Sequence, residues 1–514
     1  MGSVERRSGQ GPPVSRRRAL ALGAAAAIGG STGVGGLRLP IAAAAATGQT
    51  YDDGNGAIPT GVSGDPERVI IVGAGFAGLA ASNALRSAGV ESVVFEGRRR
   101  VGGRARTKTV GGYPVDVGCS WIHDPIGNPM ARFADQVGID RDSADIELDV
   151  ARFRLYDGVL GGEVPLDHKL AAFARYLEFD DQLGDYAAEL GPDASLRDAA
   201  LLYLDRQNLA PDDYRYTRFA LRLVSEQFEA NWWGNTSLTY AAEPGRDYQG
   251  VGEGEFPRGG YRGLVRAMAS GAAEVRRGCR VTAIESGRNG VRVRVRRVGE
   301  GARSERWVSG SHVLVTVPLG ILQRGLIRFD PGLPESKRRA IRLIRNGRFE
   351  KVALAFDEPF WEDATHTHIL HSPTGRFRHA LTLDLQRISG FPVLVCFNAG
   401  RAGIRAERLG PDALLADVLA MLETVLARPV PRPLDHFITN WRRDPFSHGS
   451  YSTVSKGTDS SLLDDLAAPV AGRVLFAGEA TLRGRNGYAD GAMTTGIREA
   501  KRLLRASEVT LRTR

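Results

Sequence analysis

The chain has 514 residues, 42% apolar and 25% charged, which supplies a large core and shows none of the bias or repetition of disordered, collagenous or coiled-coil proteins. At roughly 150 residues per domain this suggests about three units or one large two-domain enzyme. The net charge is +9, but six of the 68 basic residues and one of the 59 acidic ones fall within residues 1–46, so the remainder carries an excess of only four, poor grounds for a nucleic-acid partner. Three cysteines (Cys119, Cys279, Cys396) are an odd number and widely spaced, so neither a disulfide framework nor a metal site is expected.

Ser15-Arg16-Arg17-Arg18-Ala19-Leu20 opens an uncharged Ala/Gly-rich run to about Leu37, and Ala42–Ala46 offers small residues for cleavage. Basic region, soft apolar stretch and small-residue exit predict an export signal over 1–46, and the paired arginines point to the twin-arginine route, with a periplasmic or extracellular destination and transient contact with the export machinery. Six glycines between Gly23 and Gly36 weaken the run as a bilayer span, so no stable membrane insertion is expected after cleavage. Residues 47–65 read as a linker, and the folded part of the chain is expected from about Pro66.

Arg68–Val72 is a β-branched run suited to a buried parallel strand. Gly73-Ala74-Gly75-Phe76-Ala77-Gly78 follows, then a helical pattern over Leu79–Ala88, then a second strand, Val93-Val94-Phe95-Glu96. The glycine spacing alone is a weak signal. Strand, turn, helix, strand and terminal acid in this order predict a dinucleotide cradle: Gly73, Gly75 and Gly78 bring backbone and a helix N-terminus to a pyrophosphate, and Glu96 accepts from the ribose hydroxyls. Arg98 and Arg100 raise the alternative of a 2′-phosphate. The stretch Glu96-Gly97-Arg98-Arg99-Arg100-Val101-Gly102-Gly103-Arg104 resembles the acid-then-Gly-Gly-Arg extension of FAD enzymes in the amine oxidase superfamily. That resemblance implies contacts from Gly103 and Arg104 to the FAD diphosphate and ribityl region.

Further segments extend the resemblance from about Pro66 to Leu504. Gly118–His123, with Gly127-Asn128-Pro129, is similar to polyamine oxidases, although Asp124 replaces their glycine. Val281 occupies the usual adenine-holding place, and Ser311–Pro318 with Leu319-Gly320 resembles the strand that re-enters the FAD domain. Glu350–Phe356 matches the stretch carrying the family's flavin-proximal lysine, here Lys351. Asn440-Trp441 to Tyr451 matches the segment of the tryptophan and the aromatic wall. Arg473–Thr481, then Asn486-Gly487-Tyr488-Ala489-Asp490-Gly491 and a helix to about Leu504, is similar to the closing flavin motif, with Glu479 contacting FAD. A helix start facing the flavin pyrimidine ring suits the negative charge of the reduced ring.

The fold implied is α/β: a two-domain FAD-dependent amine oxidase fold, with a Rossmann-like FAD domain from 66–125, 255–330 and 435–507 and an interleaved α+β substrate domain from a mostly helical 126–254 and a mixed 331–434. The activity implied is hydride transfer from an amine, most simply a polyamine such as spermine or spermidine, to flavin N5, giving an imine and then an aldehyde, with O2 reduced to H2O2. Tyr451 and Tyr488 correspond to the paired aromatic walls, Lys351 to the lysine that holds a water at N5, and His123 to a residue orienting a distal amine. Lys351 on an edge strand facing solvent, and Trp441 in the core rather than on the flavin, are the plainer alternatives. Ser450 stands where monoamine oxidases attach FAD through cysteine, so FAD is expected to be noncovalent. A polyamine needs carboxylates for its distal ammonium groups, but the acid-rich stretch Glu226, Glu229, Asp247, Glu253 and Glu255 reads as a solvated face rather than as such a binding rail. An L-amino-acid oxidase would need an arginine clamp, and the Met-Arg pair usual there is replaced by Ser120–His123; a noncatalytic flavin-binding protein is the remaining alternative.

Overall fold

The computed structural model describes residues 67–512 except 144–152, 159, 244–253, 302–303, 362–367 and 373–378. The predicted export signal and linker, and Asp247 and Glu253, lie outside the described residues.

The apolar run Arg68–Val72 forms the central strand of a five-stranded parallel sheet. It lies between strands His312–Val315 and Glu91–Glu96, and Val474–Phe476 and Glu274–Arg277 complete the edges. Residues far apart in sequence thus bring their C-terminal strand ends to one edge, the usual ligand side of an open α/β sheet. Helix Phe76–Ser87 covers one face together with the C-terminal helix Ala489–Arg512. Gly496 lets them cross closely, because a Cβ there would lie 2.0 Å from the Ala77 carbonyl oxygen. A four-stranded sheet (Cys279–Gly287, Gly290–Arg297, Arg306–Gly310, Arg328–Asp330) packs through Val281, Ile284, Val293 and Val295 against the other face.

The second body is a six-stranded sheet in the order Asp435–Ile438, Phe349–Ala355, Val393–Ala399, Leu381–Asp384, His368–Ser372, Arg154–Asp157. Both faces of its centre are buried. Val352 and Leu354 pack towards helix Pro411–Leu426, while Ala353 and Ala355 pack against Val110, Val115 and Val117 of the nucleotide-binding half. The strand Asp435–Ile438, at the start of the segment expected in the FAD domain, pairs with Phe349–Ala355 and so joins this sheet. The insertion folds into helices Leu166–Asp181, Leu183–Leu190, Leu196–Gln207 and Pro211–Glu229 around a core that includes Phe173, Tyr203 and Leu221.

Candidate active site

At the nucleotide end the walls are mostly backbone. Gly73 has φ +111°, and a Cβ there would sit 2.7 Å from Thr316 Oγ1; one on Gly78 would lie 2.0 Å from the Gly73 carbonyl oxygen. Only glycine lets strand and helix meet this closely. Gly75 has nothing within 4 Å of its Cβ position, and no side chain caps the helix it opens, so the first-turn N–H groups suit an anion. Glu96 is buried; its Oε2 accepts from the Ala74 N–H (2.8 Å) and its Oε1 from the Arg98 N–H (2.7 Å), while burial raises its pKa. The 2′-phosphate alternative finds its arginines engaged. Arg98 pairs with Asp444 at 2.7 Å, and Arg100 donates to the carbonyls of Val101 and Gly103.

The second glycine turn is tied to the first by Gly102 N–H to Ala74 O at 2.8 Å, with Gly103 at φ +57°. Arg104 Nη1 then donates to Glu479 Oε1 (2.8 Å) and to the Ser450 carbonyl (2.5 Å). The other Glu479 oxygen accepts from Gly487 N–H (2.8 Å) and the Ser452 hydroxyl (2.6 Å). This carboxylate therefore joins the Gly-Gly-Arg turn to both segments that carry the predicted aromatic walls.

Lys351 lies on an interior strand, opposite Phe397, and not on a solvent-facing edge. Its ammonium donates to Gly118 O at 2.7 Å and to the Ser120 hydroxyl, with Asp116 O at 3.3 Å, and Phe397 lies beneath it at 5.1 Å. Burial lowers its pKa from 10.5 to about 8, against the opposing attraction of Asp116. Asp116, itself raised by burial, accepts from the Thr107 hydroxyl and the Tyr261 N–H. Tyr451 is held by its hydroxyl donating to the Gln227 carbonyl (2.9 Å), and Gly487 packs against its ring. The Tyr488 ring lies 4.9 Å from that of His123, edge to face, and Trp121 Nε1 donates to His123 Nδ1 at 3.3 Å. Val281 and Trp441 are buried, and the Trp441 N–H donates to Glu350 Oε1 at 2.8 Å.

One cavity of about 460 Å3 is lined by all of these predicted residues except Gly78, which acts from behind by shaping the turn. The family model described as flavin containing amine oxidoreductase matches residues 76–504. The chain belongs to the flavin-containing amine oxidoreductase family. Among its relatives, Polyamine oxidase 3 of Oryza sativa subsp. japonica is 32% identical over 451 residues, 84% of this chain and 88% of that protein. Lysine-specific histone demethylase 1 homolog 1 of Arabidopsis thaliana is 33% identical over 458 residues, 86% of this chain, and the chain spans about half its length (53%). Putrescine oxidase, solved bound to putrescine, shares the fold with a TM-score of 0.66 at 19% identity, covering 85% of this chain and 99% of that one.

The residues present fit the flavin cofactor that this amine oxidoreductase family implies. The glycine cradle has no room for a Cβ on its protein side and open space at Gly75. The buried Ser450 hydroxyl, which lines the same cavity, has no protein hydrogen-bond partner among the described residues.

One expectation is overturned. Glu226 and Glu229 are not a solvated face: both are buried, Glu226 beside Arg222 (3.1 Å) and Glu229 accepting from the Thr453 hydroxyl at 2.5 Å. Glu229 and Asp124 line the cavity, and sequence reading assigned neither to it. The helical period held the signal for the first pair. Glu226 continues Phe219 and Leu223, and Glu229 continues Leu221 and Ser225, on the packed side of the helix. Glu255 is half-buried and pairs with Arg141.

Proposed function

We propose that this protein is an FAD-dependent oxidase of amines, with polyamines as the substrate class and noncovalent FAD as the cofactor. The observation that carries the reading is the single cavity joining the glycine cradle to Lys351, Tyr451 and Tyr488. FAD held by the glycine cradle, Glu96 and Arg104 would supply a two-electron acceptor for hydride from the carbon beside the amine nitrogen, with O2 as the final oxidant and H2O2 as its product.

The chain's own residues set the conditions. Hydride leaves readily only when the reacting nitrogen keeps its lone pair. Burial among Tyr451, Tyr488, Phe349 and Phe397 disfavours the ammonium form, while the two tyrosines align the substrate. Lys351 serves as a proton-bearing group near neutral pH, fixed by Gly118 and Ser120. Ser450, with a hydroxyl in place of a thiol, supports noncovalent attachment. Glu229, which lines the cavity, favours a substrate with a further ammonium group. The arginines lining the cavity are Arg98 and Arg104, paired with Asp444 and Glu479, and Arg280 beside the expected adenine site at Val281, an arrangement that speaks against a carboxylate clamp and an amino-acid substrate.

The test is to purify the yellow protein, release its flavin with denaturant, and mix the native holoenzyme anaerobically with spermine, spermidine, monoamines and L-amino acids. Polyamines are expected to bleach the flavin within seconds. Bleaching by amino acids alone, or by nothing, overturns the reading. Export by the twin-arginine route is part of the same proposal and rests on Ser15–Leu20 and Ala42–Ala46. Arg16→Lys with Arg17→Lys is expected to retain the enzyme inside cells that otherwise release it; unchanged release overturns that part.

A further inference from the structure

Asp124, which stands where polyamine oxidases often keep glycine, has the backbone of a glycine position, φ +45°. Its side chain is almost wholly buried (3% exposed), and Asp124 Oδ2 accepts from Arg485 Nη1 at 3.2 Å. The other edge of the Arg485 guanidinium is held by Asp490, through Nε to Oδ2 (3.0 Å) and Nη2 to Oδ1 (3.1 Å). Asp490 lies in the first turn of the C-terminal helix, where a carboxylate also meets the positive end of the helix dipole. Held on two sides, the guanidinium plane has little rotational freedom, and its central carbon lies 4.0 Å from the centroid of the Tyr488 ring. Tyr488, His123, Asp124 and Asp490 line the cavity and Arg485 does not, so the cation braces the ring from outside the slot.

Burying a guanidinium and two carboxylates is costly compared with an apolar contact of the same size, so the cluster adds little to stability and its contribution here lies in fixing geometry. An ammonium would satisfy the same charges without presenting a flat face to the ring.

We propose that Arg485, clamped between Asp124 and Asp490, is a positioning residue that sets the plane of Tyr488 against the amine slot. This rests on the oxidase reading above for its kinetic consequence, but not for its structural one. Asp124 does two things: it takes up a left-handed turn that otherwise favours glycine, and it completes a brace that a glycine there could not form.

The test uses the holoenzyme and the variants Arg485→Lys, Tyr488→Ala and their combination, read by anaerobic flavin bleaching with the best amine and by flavin visible circular dichroism without amine. Arg485→Lys is expected to keep FAD, to slow bleaching by about tenfold or more, as misplacement of a substrate-aligning group does, and to change the dichroism. On the Tyr488→Ala background the same exchange is expected to change either readout by less than about twofold, because the group it acts through is gone. Unchanged bleaching and dichroism in Arg485→Lys, or equal losses with and without Tyr488, overturns the proposal. Should Arg485→Lys not hold FAD, Asp124→Gly, which suits the backbone, and Asp124→Asn, which keeps an acceptor, test the same brace: Asn is expected to restore the dichroism that Gly changes, and equal behaviour of the two overturns it. If no amine bleaches the wild type, the oxidase reading fails, and the dichroism comparison still decides for or against the brace.

Discussion

At its nucleotide end the cavity is shaped by glycines and main-chain hydrogen bonds from one stretch, residues 73–103, whereas at its amine end it is walled by side chains from five separated regions: Trp121 and His123, Glu229, Lys351, Tyr451 and Tyr488. The difference sets how each end fails. At Gly78 the backbone cradle has no slack, since an added Cβ would meet the Gly73 carbonyl oxygen at 2.0 Å. A side-chain wall keeps its frame when one group is removed and loses chemistry instead.

The largest expected effect breaks the first end. Gly78→Val places atoms within 2.0 Å of the Gly73 carbonyl oxygen, which belongs to backbone and cannot swing away. The variant is expected to emerge from gel filtration colourless, with flavin absorbance near zero and no recovery on added FAD. A yellow, stoichiometric Gly78→Val protein would show that the cradle tolerates a Cβ and that the contrast between the ends is misplaced.

The amine end depends on Lys351. Lys351→Met removes the buried ammonium and fills much of its volume, so FAD is expected to stay bound while reoxidation by O2 slows by about a hundredfold or more, the lower end of the range for a lost proton-transfer group. The lysine holds its proton below about pH 8 and releases it above, because burial has lowered its pKa from 10.5. In the wild type the oxygen reaction is therefore expected to weaken through pH 8, and in Lys351→Met that limb is expected to vanish. Stopped-flow reoxidation across pH 6.5–9.5 checks both; an identical pH profile in the variant removes Lys351 from the reaction.

The same contrast explains what the sequence discloses. The cradle is legible because its parts are contiguous: strand, glycines, helix and Glu96 fall within residues 68–96. Lys351, Tyr451 and Tyr488 were legible through family resemblance. Glu226 and Glu229 were misread because composition marked them as solvated, while the helical period marked them as packed. The brace of Arg485 could not be read at all, since Asp124 and Arg485 lie 361 positions apart and no local pattern pairs them. Nor did the sequence show that Asp435–Ile438 crosses to the sheet of Lys351, because strand partners are chosen by tertiary packing.

Behind the side-chain wall the expected effect is milder. Glu350, adjacent to Lys351, does not line the cavity but ties two of its walls: Oε1 accepts from the Trp441 N–H and Oε2 from the Thr439 hydroxyl, while Thr439 Oγ1 accepts the Lys351 N–H at 2.7 Å. Burial raises its carboxyl from 4.5 to about 8, with the neighbouring Glu407 charge adding to the rise. Between those values the folded chain holds a proton that the unfolded chain has released, so this group lowers stability progressively as pH climbs from 4.5 to 8. Glu350→Gln keeps the acceptor oxygen and removes the titration. Its melting temperature is therefore expected to match the wild type near pH 5 and to exceed it by about 5 °C at pH 8.5, because a rise from 4.5 to about 8 is worth roughly 5 kcal/mol and a chain of this size shifts by about 1 °C per kcal/mol. Calorimetry of the two holoproteins at both pH values decides it. A difference that is the same at pH 5 and pH 8.5, or one that favours the wild type at the higher pH, would mean that Glu350 carries its charge in the folded protein and that the shell behind Lys351 is ionic rather than neutral.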